Sequence, residues 1–300
     1  MPLRRIIFAV MYYVVYGFFY LFSLLPFWFM YLLSDGVSFL LCHVIRYRKK
    51  VVRNNLLIAF PEKTEAERKK IERDFYTHFS DNWIEFIKLL SISKKELNKR
   101  FTGNYELLND LYKTGQNVHV NLGHYFNWEY ANVAYGINVD YPFLVVYKPI
   151  ANKTIDRIFY KARTRFKSHM ISAYNYRQEF APFAKNPFML VLVADQRESG
   201  HKAYWAPFFG KMTTFVQGPE RTAKMNNAAI TMARLKRLKR GYYQSEIVLL
   251  TTEPKNLAKG EIAKKMITFV EDCIRDQPAN YLWSHKRWRQ TFDATQHKAI

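Results

Sequence analysis

The chain has 300 residues, enough for one large α/β domain or two small ones. A hydrophobic content of 49% with 24% charged residues excludes a disordered chain, and two cysteines, Cys42 and Cys273, exclude a disulfide framework or a cysteine-based metal knuckle. The net charge of +21 calls for an anionic counterpart: nucleic acid, an anionic lipid surface, or an acidic protein or substrate.

The N-terminus narrows that choice. No charged residue occurs from Ile6 to Ser34. About 20 apolar residues span a bilayer, so this longer run predicts a membrane helix, tilted or kinked at Pro26. Its length, its aromatic side chains and the lack of a small-residue cleavage site argue against a secretory signal. A shorter apolar run from Gly36 to Ile45 leaves a hairpin or re-entrant arrangement open. Arg4 and Arg5 precede the run, and the larger cluster of Arg46, Arg48, Lys49, Lys50 and Arg53 follows it. The positive-inside rule then places the main domain in the cytoplasm. Residues 1–45 are expected to be the anchor and 46–300 the functional domain.

Beyond the basic cluster, Pro61 ends a short segment, and Thr64 with Glu67 forms a capping box. Apolar positions from Ile71 through Phe75, Phe79 and Phe86 to Leu90 predict a long amphipathic helix. Strands are expected at 117–122, 143–147 and 188–194, and helices at 126–135 and 154–166. A helix at 218–227 is followed by strands 228–240 and 242–251, joined at Gly241, and by a helix at 257–274. Strands alternating with helices predict an α/β domain with a mainly parallel sheet flanked by helices.

The chemistry concentrates in Gly123-His124-Tyr125-Phe126-Asn127-Trp128-Glu129. A strand ends at Leu122 and a helix starts shortly after His124. Ligands of α/β sheets bind at the carboxyl ends of strands, so His124 stands where a general base is expected. A turn at His124 brings the Glu129 carboxylate within reach of one ring nitrogen, which fixes the tautomer and stabilises the imidazolium. The competing reading is a helix-capping or core histidine, and a bare His-x4-Glu is a weak signal. Asp195 and Gln196 end another buried strand, which favours the same site over a simple turn.

These blocks, in order, resemble the bacterial lipid A late acyltransferases, the lauroyl and myristoyl transferases of the lysophospholipid acyltransferase superfamily. The His-x4-Asp/Glu motif is matched by His124 and Glu129. Further matches are Asn55 to Pro61, Val145 to Pro149, Ala194-Asp195-Gln196, Phe208-Phe209-Gly210 and Tyr281 to Arg287. Lys148 stands where an arginine is usual, giving a point charge in place of a fork.

The resemblance implies a glycerolipid-acyltransferase-like fold. It implies that His124, assisted by Glu129, deprotonates an acceptor hydroxyl that attacks an acyl thioester. The implied donor is acyl carrier protein or coenzyme A, a co-substrate, with no cofactor and no metal. The acidic carrier protein, an anionic lipid acceptor and the membrane are the expected partners, and nucleic acid is not. The expected location is the bacterial inner membrane, cytoplasmic side. Lys148, Arg163, Arg165, Asp195 and Gln196 are the expected substrate contacts, with Phe208, Phe209 and Gly210 against the acyl chain. Arg163 and Arg165 read equally well as a solvated basic face, and Phe208 and Phe209 as a loop anchored in the core. Trp283, His285 and Arg287 are expected to support the fold or touch the membrane. A glycerophospholipid or aminolipid acceptor is the nearest alternative. A non-enzymatic basic protein on a membrane surface or nucleic acid explains the charge but not the ordered blocks.

Overall fold

A computed structural model describes residues 2–198 and 203–300, with side chains from Phe8 onward, so the side chains of Arg4 and Arg5 lie outside it. The N-terminal apolar run is two helices, α1 (Pro2–Leu24) and α2 (Phe27–Phe39), the second continuing as a π-helical turn over Leu40–Val44. Pro26 separates them with extended backbone, because its ring fixes φ and removes the N–H that a continuous helix needs. The stretch Phe27–Val44 is long and apolar enough to cross a membrane. Phe18, Leu21, Trp28 and Leu32 are exposed on these helices, whereas Tyr12 and Met30 are buried against the rest of the chain. The elbow is held by Lys88, whose Nζ donates to the carbonyls of Ser23 and Leu25 at 2.7 Å each.

Next come α3 (Lys49–Ala59) and α4 (Glu65–Lys88). The predicted capping box opens α4: the Thr64 amide donates to Glu67 Oε2 at 2.7 Å and Thr64 Oγ1 accepts from the Glu67 amide at 3.3 Å. α2 lies along α4, with Tyr31 on Glu85 and Ser34 on Asp81. The α/β part then runs α5 (Lys94–Arg100), β1 (Phe101–Gly103), α6 (Glu106–Lys113), β2 (Val118–Leu122), α7 (Trp128–Asn138), β3 (Phe143–Tyr147), α8 (Lys153–Arg163), β4 (Ser168–Ser172), α9 (Tyr176–Phe180) and β5 (Met189–Val193). It ends with β6 (Ala203–Phe208), β7 (Lys211–Val216), α10 (Gly218–Asn226), β8 (Ala229–Lys239), β9 (Tyr242–Thr251) and α11 (Glu261–Asp276).

The main sheet has seven strands in the order β1-β9-β8-β2-β5-β3-β4. All neighbours are parallel except β8 and β9, so the expected α/β class with a mainly parallel sheet and flanking helices is what the chain adopts. In register, Val120 faces Val191 and Val145 also faces Val191, so alternate side chains of β2, β5 and β3 share one face. α7 covers that face. Its Gly136 permits close approach, since a Cβ there would meet the Phe166 carbonyl and Ser168. Added to the elements expected from the sequence are β1, β4 and the antiparallel hairpin β6–β7. Its turn is Phe209-Gly210, both at positive φ (51° and 71°), as a two-residue hairpin turn requires.

Candidate active site

β2 and β5 are neighbours, paired from Val118↔Met189 to Leu122↔Val193. Their carboxyl ends therefore deliver His124 and Asp195 to the same point, although 71 residues separate them. His124 Nδ1 lies 2.5 Å from Asp195 Oδ1, and the His124 amide donates to Asp195 Oδ2 at 3.2 Å. Asp195 is buried, while the His124 side chain stays partly open. Burial alone would raise the Asp195 carboxyl. The His124 ring and hydrogen bonds from His124 and Tyr281 outweigh it and hold the pKa down to about 2. Asp195 is thus an anion fixed against Nδ1, which leaves Nε2 free of it, and His124 lines the neighbouring cavity. The Gln196 side-chain amide lies 3.1 Å from that Nε2.

Glu129 has a different partner from the one expected. Its carboxylate is bound by Arg163, with Nε to Oε2 at 2.9 Å and Nη2 to Oε1 at 2.6 Å, and Trp128 Nε1 donates to Oε1 at 3.0 Å. The motif helix explains this. Asn127 caps α7, its Oδ1 accepting from the Glu129 and Tyr130 amides at 3.0 and 2.9 Å. Glu129 therefore lies in the first turn of α7, facing the end of α8, which carries Arg163. Burial opposes the Arg163 cation, and the Glu129 charge and hydrogen bonds more than offset it, so its pKa is raised. Glu129 acts on Arg163, and Asp195 takes the place on the imidazole that the spacing suggested for Glu129.

These groups open on a cavity of about 680 Å³ between α7 and the sheet. His124, Glu129, Arg163, Lys148 and Gln196 line its polar part, and Ala131, Tyr135, Phe143, Val145 and Met170 line its apolar part. The cavity thus combines apolar walls with a polar part that carries His124, the usual make-up of a small-molecule site. Arg197 and His285 also line it, and neither was among the expected substrate contacts. Arg197 follows Gln196 directly and was reachable by extending that block. His285 was expected to serve only the fold or the membrane. Burial dominates its environment and pushes its pKa down to about 4.

Asp195, expected to contact substrate, is instead buried against His124 and does not line the cavity, and four other expected contacts lie elsewhere. Arg165 donates through Nη1 to the carbonyls of Leu89 and Ile92 at 2.7 and 2.6 Å, closing the end of α4. Phe208 ends β6, and Phe209 and Gly210 form the β6–β7 turn, all three outside the cavity lining. Phe208 stacks on Trp288 and Phe209 packs edge-on against Phe60, so the loop is anchored in the core and is not a wall of the cavity. Arg287, buried against Phe215 and hydrogen-bonded to Thr213 and the Thr214 carbonyl, supports that hairpin. Among the described residues, no group of three or more His, Cys, Asp and Glu side chains is placed to hold a metal ion.

A family model described as bacterial lipid A biosynthesis acyltransferase matches residues 2–290. No curated protein matches the chain.

Proposed function

Starting from the fact that the chain belongs to the bacterial lipid A biosynthesis acyltransferase family, we propose that it transfers a fatty acyl group from acyl carrier protein to a hydroxyl of a lipid A precursor, with His124 as general base. The observation that carries this is the His124–Asp195 pair, whose imidazole lines the cavity between α7 and the sheet.

The acyl chain lies along Ala131, Tyr135 and Met170, with its thioester carbonyl near His124. Nε2 of His124 takes the proton of the acceptor hydroxyl as its oxygen attacks that carbonyl. Asp195 compensates the imidazolium. The tetrahedral intermediate collapses, the C–S bond breaks, and the departing thiolate recovers the proton from His124. The Arg163 guanidinium, aligned by Glu129, and the Gln196 amide are the nearby donors available to the oxyanion. Lys148 and Arg197 in the cavity lining suit phosphate, on the lipid acceptor or on the carrier's prosthetic arm.

Residues 1–45 serve as the anchor and 46–300 carry the chemistry. The apolar outer faces of α1 and α2 support a membrane seat, and the basic cluster from Arg46 to Arg53 supports the cytoplasmic face of the inner membrane.

The test is acyl transfer by the detergent-purified chain from labelled acyl carrier protein, with a lipid A precursor and a lysophospholipid as alternative acceptors. Transfer to the precursor that collapses in His124→Ala is the expected result. Transfer to the lysophospholipid alone would move the acceptor, and activity surviving His124→Ala would remove the base assignment.

A further inference from the structure

Glu85 on α4 is fully buried, yet the chemistry above does not use it. It accepts hydrogen bonds from three separate elements. Tyr31 Oη of α2 reaches Oε1 at 2.8 Å, and Asn127 Nδ2 and Tyr243 Oη of β9 each reach Oε2 at 2.8 Å. Burial, then the neighbouring Asp81, push the carboxyl up to about 7. Each donor therefore helps to keep it an acceptor.

The Asn127 contact reaches the site. A carboxamide has one donor end and one acceptor end. With Nδ2 committed to Glu85, Oδ1 must point at the Glu129 and Tyr130 amides, and the cap of α7 is set. The first turn of α7 holds Glu129, which aligns Arg163. Glu85 thus decides which way the cap of the motif helix faces.

At its other end Glu85 holds α2. The neighbouring contact of that seam, Ser34 Oγ to Asp81 Oδ1 at 2.6 Å, leads to Arg237 and Arg240 and away from α7. We propose that Glu85 is a positioning residue that couples the seating of the apolar helix α2 to the start of α7, so that the site is assembled only when α2 is in place. The kinetic consequence rests on the acyl-transfer reading; the mechanical coupling does not.

The experiment uses the full chain in phospholipid nanodiscs, comparing wild type with Tyr31→Phe and Ser34→Ala. Tyr31→Phe should speed hydrogen exchange at the Glu129 and Tyr130 amides roughly tenfold, the size of one hydrogen bond to a charged group. It should lower kcat by a similar factor and leave KM for the thioester donor unchanged. Ser34→Ala, which loosens α2 without removing a contact of Glu85 or Asn127, should change both readouts far less. Glu85→Gln and Asn127→Asp should each be impaired, and their combination should recover. In the double variant the carboxamide introduced at position 85 donates to the carboxylate introduced at position 127, whose second oxygen still caps α7. Unchanged amide exchange in Tyr31→Phe, an equal change in Ser34→Ala, or no recovery in the double variant would overturn the coupling. Exchange coupling in a wild-type chain that transfers nothing would overturn the acyl-transfer reading and leave the coupling standing.

Discussion

Asp195 grips His124 twice, with Oδ1 at 2.5 Å from Nδ1 and Oδ2 at 3.2 Å from the His124 amide. The two contacts fix both the rotation of the ring and the end of β2 from which it hangs. Glu129, the carboxylate of the His-x4-Glu motif, spends both oxygens on Arg163.

Asp195→Asn should therefore cost more in turnover than Glu129→Gln. Loss of the anion at Nδ1 removes tautomer control and imidazolium stabilisation, together worth about 10²–10⁴ in rate. Steady-state kinetics on both variants checks the order, and equal losses would return Glu129 to the imidazole.

The Glu129–Arg163 pair predicts a stability asymmetry. Arg163→Met strands a buried carboxylate and should cost about 3–5 kcal/mol. Glu129→Gln leaves a guanidinium whose side chain keeps 19% exposure and can turn to water, so its cost should be clearly smaller. Denaturant midpoints of the two purified variants measure the difference.

His285 predicts a pH dependence. Its folded pKa, about 4, lies below its ordinary 6.5 because burial disfavours the cation. The unfolded chain therefore binds the proton first. This contribution to stability is complete above pH 6.5 and is lost as pH falls through 4. His285→Gln should flatten the melting-temperature profile between about pH 7 and 4.

Ala131 and Met170 line the apolar part of the cavity. Ala131→Phe should exclude the longest donor chains while sparing shorter ones, each lost buried methylene costing about 0.8 kcal/mol. Competition between carrier proteins loaded with chains of different length reads this out. Uniform loss across lengths would place the chain elsewhere.

Phe18, Leu21 and Leu32 are exposed on α1 and α2. Replacing all three by Asp removes about 1.5–3 kcal/mol of burial per side chain on an apolar seat, so binding to anionic vesicles should fall steeply in flotation assays.

Parts of the fold and of the site were readable because they are local. Thr64 and Glu67 cap a helix within one turn, and His124 follows a strand by two residues, so short-range periodicity and turn chemistry locate them. The hairpin was less readable. Pro207 interrupts the strand pattern, and a Phe-Gly turn lacks the Asn-Gly signal. β4 escaped because Ser168-His169-Met170-Ile171-Ser172 has no sustained apolar run, although it pairs along its length with β3.

The class of fold, the apolar N-terminus broken at Pro26 and a histidine at the end of a strand all follow from residues close together in the chain, so the amino-acid order suffices for them. Four pairings needed the folded molecule: Asp195 on the imidazole, Glu129 on Arg163, Arg165 on the end of α4, and Glu85 between α2 and α7. They depend on which strands become neighbours and which helix ends meet. Spacing along the chain carries no such information, because a carboxylate five residues from a histidine and one 71 residues away compete only once the sheet has set them side by side.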